Sequence, residues 1–222
     1  MATKNSLNNK SQELTLDPGA SGDSFLQFDI NATGEFRIGV DDDAADTFKI
    51  SQGDALGAND TFIMTAAGER TMPLQSAFSA YLGTTDTDVT GNGTYFQLGS
   101  GNALTEIFDQ NSDFNTNGTF TASVDGRYYF ATGSLVQQCA TATSSLIQIN
   151  TSNRVYNGNH MDPSSGVAVG GELGLNMTVF ADMDAADTCV SRVQYNGVGA
   201  DTSDVAGQAT DPLTWFSGYL AC

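Results

Sequence analysis

The stretch Phe108–Phe130, FDQNSDFNTNGTFTASVDGRYYF, decides how the rest of the chain is read. It opens on the turn formers Asn115, Asn117 and Gly118 and continues with Phe120, Ala122 and Val124 at alternate positions. It turns again at Asp125-Gly126 before Tyr128 and Phe130. Apolar residues at period two mark strands with one buried face, and Asp-Gly suits the tightest hairpin turns, so the spacing predicts a hairpin centred on Asp125-Gly126. The other informative segment is the final WFSGYLAC, residues 215–222. There Leu213, Trp215, Ser217 and Tyr219 alternate with Phe216, Gly218 and Leu220, which places apolar groups on both faces of one strand. A strand apolar on both faces is expected to be covered on both.

Working outward, the 222 residues hold 24 Gly and 4 Pro, with Thr, Asn, Ser and Asp between the apolar positions. That composition belongs to many short strands joined by tight turns, and an all-β chain is expected. The formal charge is −18, spread from Asp17 to Asp211. Such a field repels phosphate, so nucleic acid is excluded as a partner, and the acidity reads as colloidal solubility in salty water. The residues from Met1 to Lys10 are polar, and no apolar run reaches the length of a secretory core or a membrane span, so neither export through a leader nor membrane insertion is expected. Three cysteines, Cys139, Cys189 and Cys222, cannot pair completely within one chain and are read as thiols, with a Cys139–Cys189 bridge as the alternative.

Phe108–Phe130 and the closing TWFSGYL resemble the signature of the C1q/TNF-like family. The opening MPLQSAFSAYL does so too, where Ala77, Phe78, Ser79 and Leu82 match the family's first strand. The resemblance covers residues 72–222 and implies a jelly-roll head that assembles as a homotrimer and is not an enzyme. In a two-sheet jelly roll, covering the outer side of the last strand requires another subunit, so Phe216 and Tyr219 are the expected trimer-interface aromatics. One such anchor is worth roughly 1.5–3 kcal/mol when buried.

Residues 21–71 carry short alternating runs: Phe28 and Ile30, then Phe36, Ile38 and Val40, then Phe48 and Ile50, with Arg37 and Lys49 on the opposite face. Some fifty residues of this kind cannot close a core alone, and trimerisation is the remedy at hand. The wording FRIGVDDDAADTFKISQGDALGANDTFIM is similar to β-structured stalks of bacteriophage tail and fibre proteins. Residues 1–20, rich in Asn, Ser, Lys and Gln, are expected to form an extended attachment arm.

Few residues suggest chemistry. His160, the sole histidine, stands in a turn-rich stretch beside Asp162, but no elbow motif positions a nucleophile, and a surface loop residue is expected. Asp86-Thr87-Asp88-Val89-Thr90-Gly91 begins like a calcium loop, with acids at positions one and three and Gly at six, then fails at Gln97, where a bidentate Glu belongs. Asp182, Asp184 and Asp187, and Asp41–Asp43 with Asp46, are further oxygen clusters. Against calcium stands the reading of all of them as turns whose carboxylates accept local amides, which implies no cofactor.

A trimeric head on a β stalk behind a polar arm suits a virion. The expected function is a homotrimeric fibre or decoration protein of a bacteriophage, set on the capsid, neck or short tail and exposed on the particle surface. The arm would bind other virion proteins, and the head would adhere to a host surface glycan or protein. The alternatives are a capsid cement protein with a purely stabilising role and a tail enzyme acting on polysaccharide.

Overall fold

A computed structural model describes residues 16, 22–30, 35–166 and 171–222. The expected attachment arm, Leu16 apart, and residues 31–34 between the runs at Phe28 and Phe36 lie outside the described residues. The chain divides into two compact units, Met1–Leu74 and Gln75–Cys222.

The first unit is a five-stranded antiparallel meander: β1 Ser24–Asp29, β2 Glu35–Asp41, β3 Thr47–Gln52, β4 Asp60–Met64 and β5 Arg70–Thr71, neighbours in chain order. Register builds its faces. Leu26, Ile38, Ile50 and Phe62 stand side by side across four strands, flanked by Phe28 opposite Phe36 and by the row Val40, Phe48, Met64. The apolar beats that fall within the strands therefore share one side, because the side-chain period of a strand is two. The other side carries the charges, with Phe25 and Ile63 among them. Lys49 Nζ lies 2.7 Å from Asp41 Oδ2 and 3.2 Å from Asp60 Oδ2, all three side chains nearly buried. Arg37 sits 4.6 Å from the centre of the Phe25 ring. Among the described residues of this unit, Leu56 is the one buried hydrophobic side chain.

The second unit has thirteen strands: β6 Ala77–Leu82, β7 Thr84–Thr90, β8 Tyr95–Gln97, β9 Leu104–Asp109, β10 Phe114–Asn115, β11 Thr119–Thr121, β12 Gly126–Gln137, β13 Ser144–Thr151, β14 Val155–Met161, β15 Leu173–Met183, β16 Thr188–Asn196, β17 Ser203–Gln208 and β18 Trp215–Leu220. Six form one sheet, in the order β10-β11-β16-β13-β14 with β8 also on β16. Seven form the other, in the order β7-β17-β12-β18-β6-β9 with β15 along the far edge of β12. Every pairing is antiparallel, and the two sheets make a jelly-roll sandwich.

Between the sheets lies an aromatic core. Phe78 stacks on Phe114 at 4.4 Å and on Phe120 at 5.2 Å and meets Phe216 edge-on at 5.0 Å. The hydroxyls of Thr132 and Ser191, both buried, hydrogen-bond across the sandwich at 2.8 Å. Burial lifts the Tyr195 phenol far above its usual range, while its hydroxyl donates to the Leu173 carbonyl at 3.2 Å.

Three expectations are corrected here. The Asp125-Gly126 segment is no hairpin: β11 pairs with β10 and β16 in one sheet, whereas β12 lies in the other. The period-two pattern survives because Phe120 meets Tyr128 and Phe130 across the core, at 5.4 and 5.3 Å, instead of beside them in a sheet. Val124 has left that face and is exposed. His160 stands on β14, the edge strand, opposite Leu146, and not in a loop. Phe216, expected at the trimer interface, is fully buried by its own chain, so no partner can cover it.

Candidate self-association surface

Parity along β18 explains the Phe216 result and leads to the site. With Phe216 and Gly218 turned into the sandwich, Trp215, Ser217 and Tyr219 face out from the seven-stranded sheet. β12 repeats the logic: Tyr128 and Phe130 point in, so Tyr129 points out. The register then sets outward residues side by side. One row runs Phe180, Tyr129, Tyr219, Ala77; the next runs Thr178, Ala131, Ser217, Ser79, Phe108; a third runs Asn176, Gly133, Trp215, Tyr81, Thr105.

These rows form an aromatic surface with small residues between the rings. Tyr129 lies 5.2 Å from Phe180, edge to face, and 5.3 Å from Tyr219. Phe180 is 63% exposed, Phe108 49% and Tyr219 45%. Ala77, Ser79 and Ser217 floor a shallow apolar hollow between Phe108 and the two tyrosines. Gly133 is demanded by its neighbour, since a Cβ there would lie 2.7 Å from Trp215 Nε1. Its absence lets the indole lie against the sheet, beside a second hollow lined by Leu135, Pro212 and Leu213. None of the fourteen residues in the three rows carries a charge, in a chain with 26 acidic residues. Large uncharged aromatic patches on an acidic surface mark contact sites, because burying them costs no ion desolvation.

The oxygen clusters fare differently. Asp86 is on β7, turned inward, and its Oδ1 accepts from the Asn102 backbone amide at 2.6 Å and from Asn102 Nδ2 at 2.8 Å. Its Oδ2 is buried without a hydrogen-bond partner, and burial holds the carboxyl above its usual range against those two bonds. Asp88 has a left-handed backbone and donates its amide to Asp204 Oδ1 at 2.9 Å. Asp182 is gripped by both ends of the Arg154 guanidinium, at 3.1 and 2.6 Å, which draws its carboxyl below the usual range. Asp187 caps a turn, accepting from Ser152, Asn153 and the Asp184 amide, and those bonds lower it likewise. Asp41 is committed to Lys49, and Asp42 donates its amide to Asp23. Protein donors thus already hold Asp86 Oδ1 and the carboxylates of Asp41, Asp182 and Asp187, while Asp86 Oδ2 stays without one. Among the described residues no three His, Cys, Asp or Glu side chains converge as a metal set.

No family model matches the chain, and no curated protein does. Among solved structures, the chain is similar to the globular domain of zebrafish complement 1qA protein, with a TM-score of 0.44 and 17% identity over 67% of this chain and 98% of that one. It is also similar to murine APRIL at pH 8.5, with a TM-score of 0.42 and 7% identity over 66% and 98% of the two chains.

Sequence reasoning found Tyr219 but missed Tyr129, Phe180, Phe108 and Trp215. The signal for one of them was present: in Tyr128-Tyr129-Phe130, a strand whose outer residues point inward must turn the middle ring out. The cysteines are all free: Cys139 and Cys189 are buried, and Cys222 is exposed.

Proposed function

We propose that the chain is a homotrimeric fibre or decoration protein of a bacteriophage virion. Its Gln75–Cys222 unit self-associates through the outer face of the seven-stranded sheet and presents its loops to a host surface or glycan. The observation that carries this reading is the uncharged aromatic face built by Phe108, Tyr129, Phe180, Trp215 and Tyr219. The sequence likeness of residues 72–222 to C1q/TNF-like heads supports three copies, and the phage-fibre wording of residues 36–64 supports the virion. The carboxylates of Asp41, Asp182 and Asp187 are held by ion pairs and turns, which fits a binding role and not catalysis.

Light scattering on the purified full chain tests the assembly: three chains of 23.3 kDa give about 70 kDa. Tyr219→Lys places three like charges in the contact and reduces the mass to that of one chain while the far-ultraviolet spectrum stays β. A trimeric Tyr219→Lys variant would move the contact elsewhere, and a monomeric wild type at micromolar concentration would end the reading. Labelled protein then separates the roles on the particle. Adhesion requires staining of host cells, whereas rebinding to stripped capsids without staining makes the role one of stabilising the shell.

A further inference from the structure

The described residues of the first unit leave an apolar face open. Leu26, Phe28, Phe36 and Val40 are each more than a third exposed, and Ile38, Phe48, Ile50, Phe62 and Met64 beside them are half-buried at best. A stable sheet needs a second layer against its apolar side, because one layer alone leaves that side in water. Among the described residues this unit has none, and the reverse side is already occupied by the Lys49–Asp41–Asp60 ion cluster and the Arg37–Phe25 contact.

We propose that this face is closed by the same face of other copies of the chain, so that each Ser24–Met64 sheet forms one wall of a shared hydrophobic core. Two quantities support a second copy as the occupant. An aromatic side chain carries roughly 150–250 Å² of surface, and summing the exposed parts of these side chains gives on the order of 500 Å² per copy. That is short of the ~800 Å² of a standard interface, but two such faces together reach the roughly 1,000 Å² that a specific contact buries, and it lies in the upper part of the roughly 300–600 Å² that monomers leave exposed. The second is supply: copies gathered by the head bring identical sheets to an effective concentration in the millimolar range, far above that of any free partner. The face bears no charge, whereas Asp29, Glu35 and Asp41 stand on the opposite side of the sheet, so two copies can meet face to face without burying like charges. The inference rests on the self-association proposed above and adds to it a second interface with its own residues.

The test uses the full chain in a Cys222→Ser background, which leaves only the two buried cysteines. Leu26→Cys puts a thiol on the apolar face, and Gln27→Cys puts one on the opposite, exposed side. In the assembled protein a maleimide should label position 26 at least ten times more slowly than position 27, and Tyr219→Lys should abolish most of that difference. A second measurement follows proteolysis: Phe28→Lys with Phe36→Lys should speed cleavage within residues 24–64 at least tenfold while the head stays intact and the mass stays at three chains. Equal labelling at 26 and 27 in a protein that is trimeric overturns this inference and leaves the head reading intact. A wild-type chain that is monomeric overturns both.

Discussion

Phe78 and Phe28 are both phenylalanines on short antiparallel strands, yet Phe78 touches Phe114, Phe120, Phe130 and Phe216 within 6.5 Å, whereas Phe28 is 58% exposed. The difference lies in the number of layers. Two sheets face each other in the Gln75–Cys222 unit, so every inward residue finds partners from the opposite sheet. Among the described residues the Met1–Leu74 unit has one sheet, so its apolar row has neighbours beside it and none above. Identical periodicity therefore yields a self-sufficient core in one unit and an adhesive face in the other. What the chain buries instead in its first unit is charge.

The largest effect that probes this contrast is Phe78→Ala. Truncating a core aromatic costs about 3–5 kcal/mol through lost contacts and the cavity left behind. Denaturant unfolding should show the head's transition lowered by that amount and the first unit's unmoved. Transitions that shift together would mean the two units unfold as one, and the contrast would fail. Next comes Lys49→Met, which strands Asp41 and Asp60 without their cation. An ion pair broken deep in a core costs about 3–5 kcal/mol; these side chains are nearly buried but sit on a single-layer sheet with little protein around them, so about 1–2 kcal/mol is expected, confined to the first unit. Burial by itself would lower the Lys49 ammonium, but hydrogen bonds and charge from Asp41 and Asp60 outweigh it and hold the group above its ordinary 10.5. A raised cation stabilises fully below its unfolded pKa, and the contribution is lost as pH rises through the folded value. Melting of the first unit should accordingly decline above pH 10.5 in the wild type and lack that component in Lys49→Met. Superimposable pH profiles would show that the cluster does not hold the sheet.

Alternation made most of this architecture legible before any coordinates. The beats at Phe36, Ile38, Val40, Phe48 and Ile50 placed Arg37 and Lys49 on the far side, which is where the register puts them. Alternation does not say which sheet a strand joins. Phe120 and Phe130 satisfy it equally as hairpin neighbours or as partners across a core, and only the pairing of β11 with β16 distinguishes them. Nor does it say which of two apolar faces is inner, which is why Phe216 and Tyr219 looked alike from sequence. The aromatic surface escaped for a further reason. Phe108, Tyr129, Phe180 and Tyr219 come from four strands far apart in the chain, and cross-strand register alone makes them adjacent. The aspartate clusters show the same limit: local spacing offered a turn or a cation loop, whereas the partner of Asp182 is the remote Arg154.

Asp86 tests the head as Lys49 tests the first unit, with the opposite sign, because its buried carboxylate has no cation beside it. A carboxyl raised by burial destabilises the fold once ionised, so Asp86→Asn should raise the head's melting temperature at neutral pH. The gain should shrink as pH falls through the raised value and vanish below the ordinary 3.8, where the wild type is protonated in both states. A variant less stable at pH 7 would show that the charged form is needed.

The smallest perturbation is a thiol count on the native chain. Cys222 is exposed, whereas Cys139 and Cys189 are fully buried, and burial raises both thiols, that of Cys189 far beyond the range in which a reactive thiolate forms. Ellman's reagent should find one fast thiol per chain and the other two only on unfolding. Because Cys189 sits opposite Phe120 on β16, its slow labelling reports opening of the head's aromatic core alone. Phe78→Ala should hasten that slow phase, whereas Lys49→Met should leave it untouched. Two fast thiols in the native wild type would show that the jelly roll is not closed, and the first unit would lose the standard against which its open face is judged.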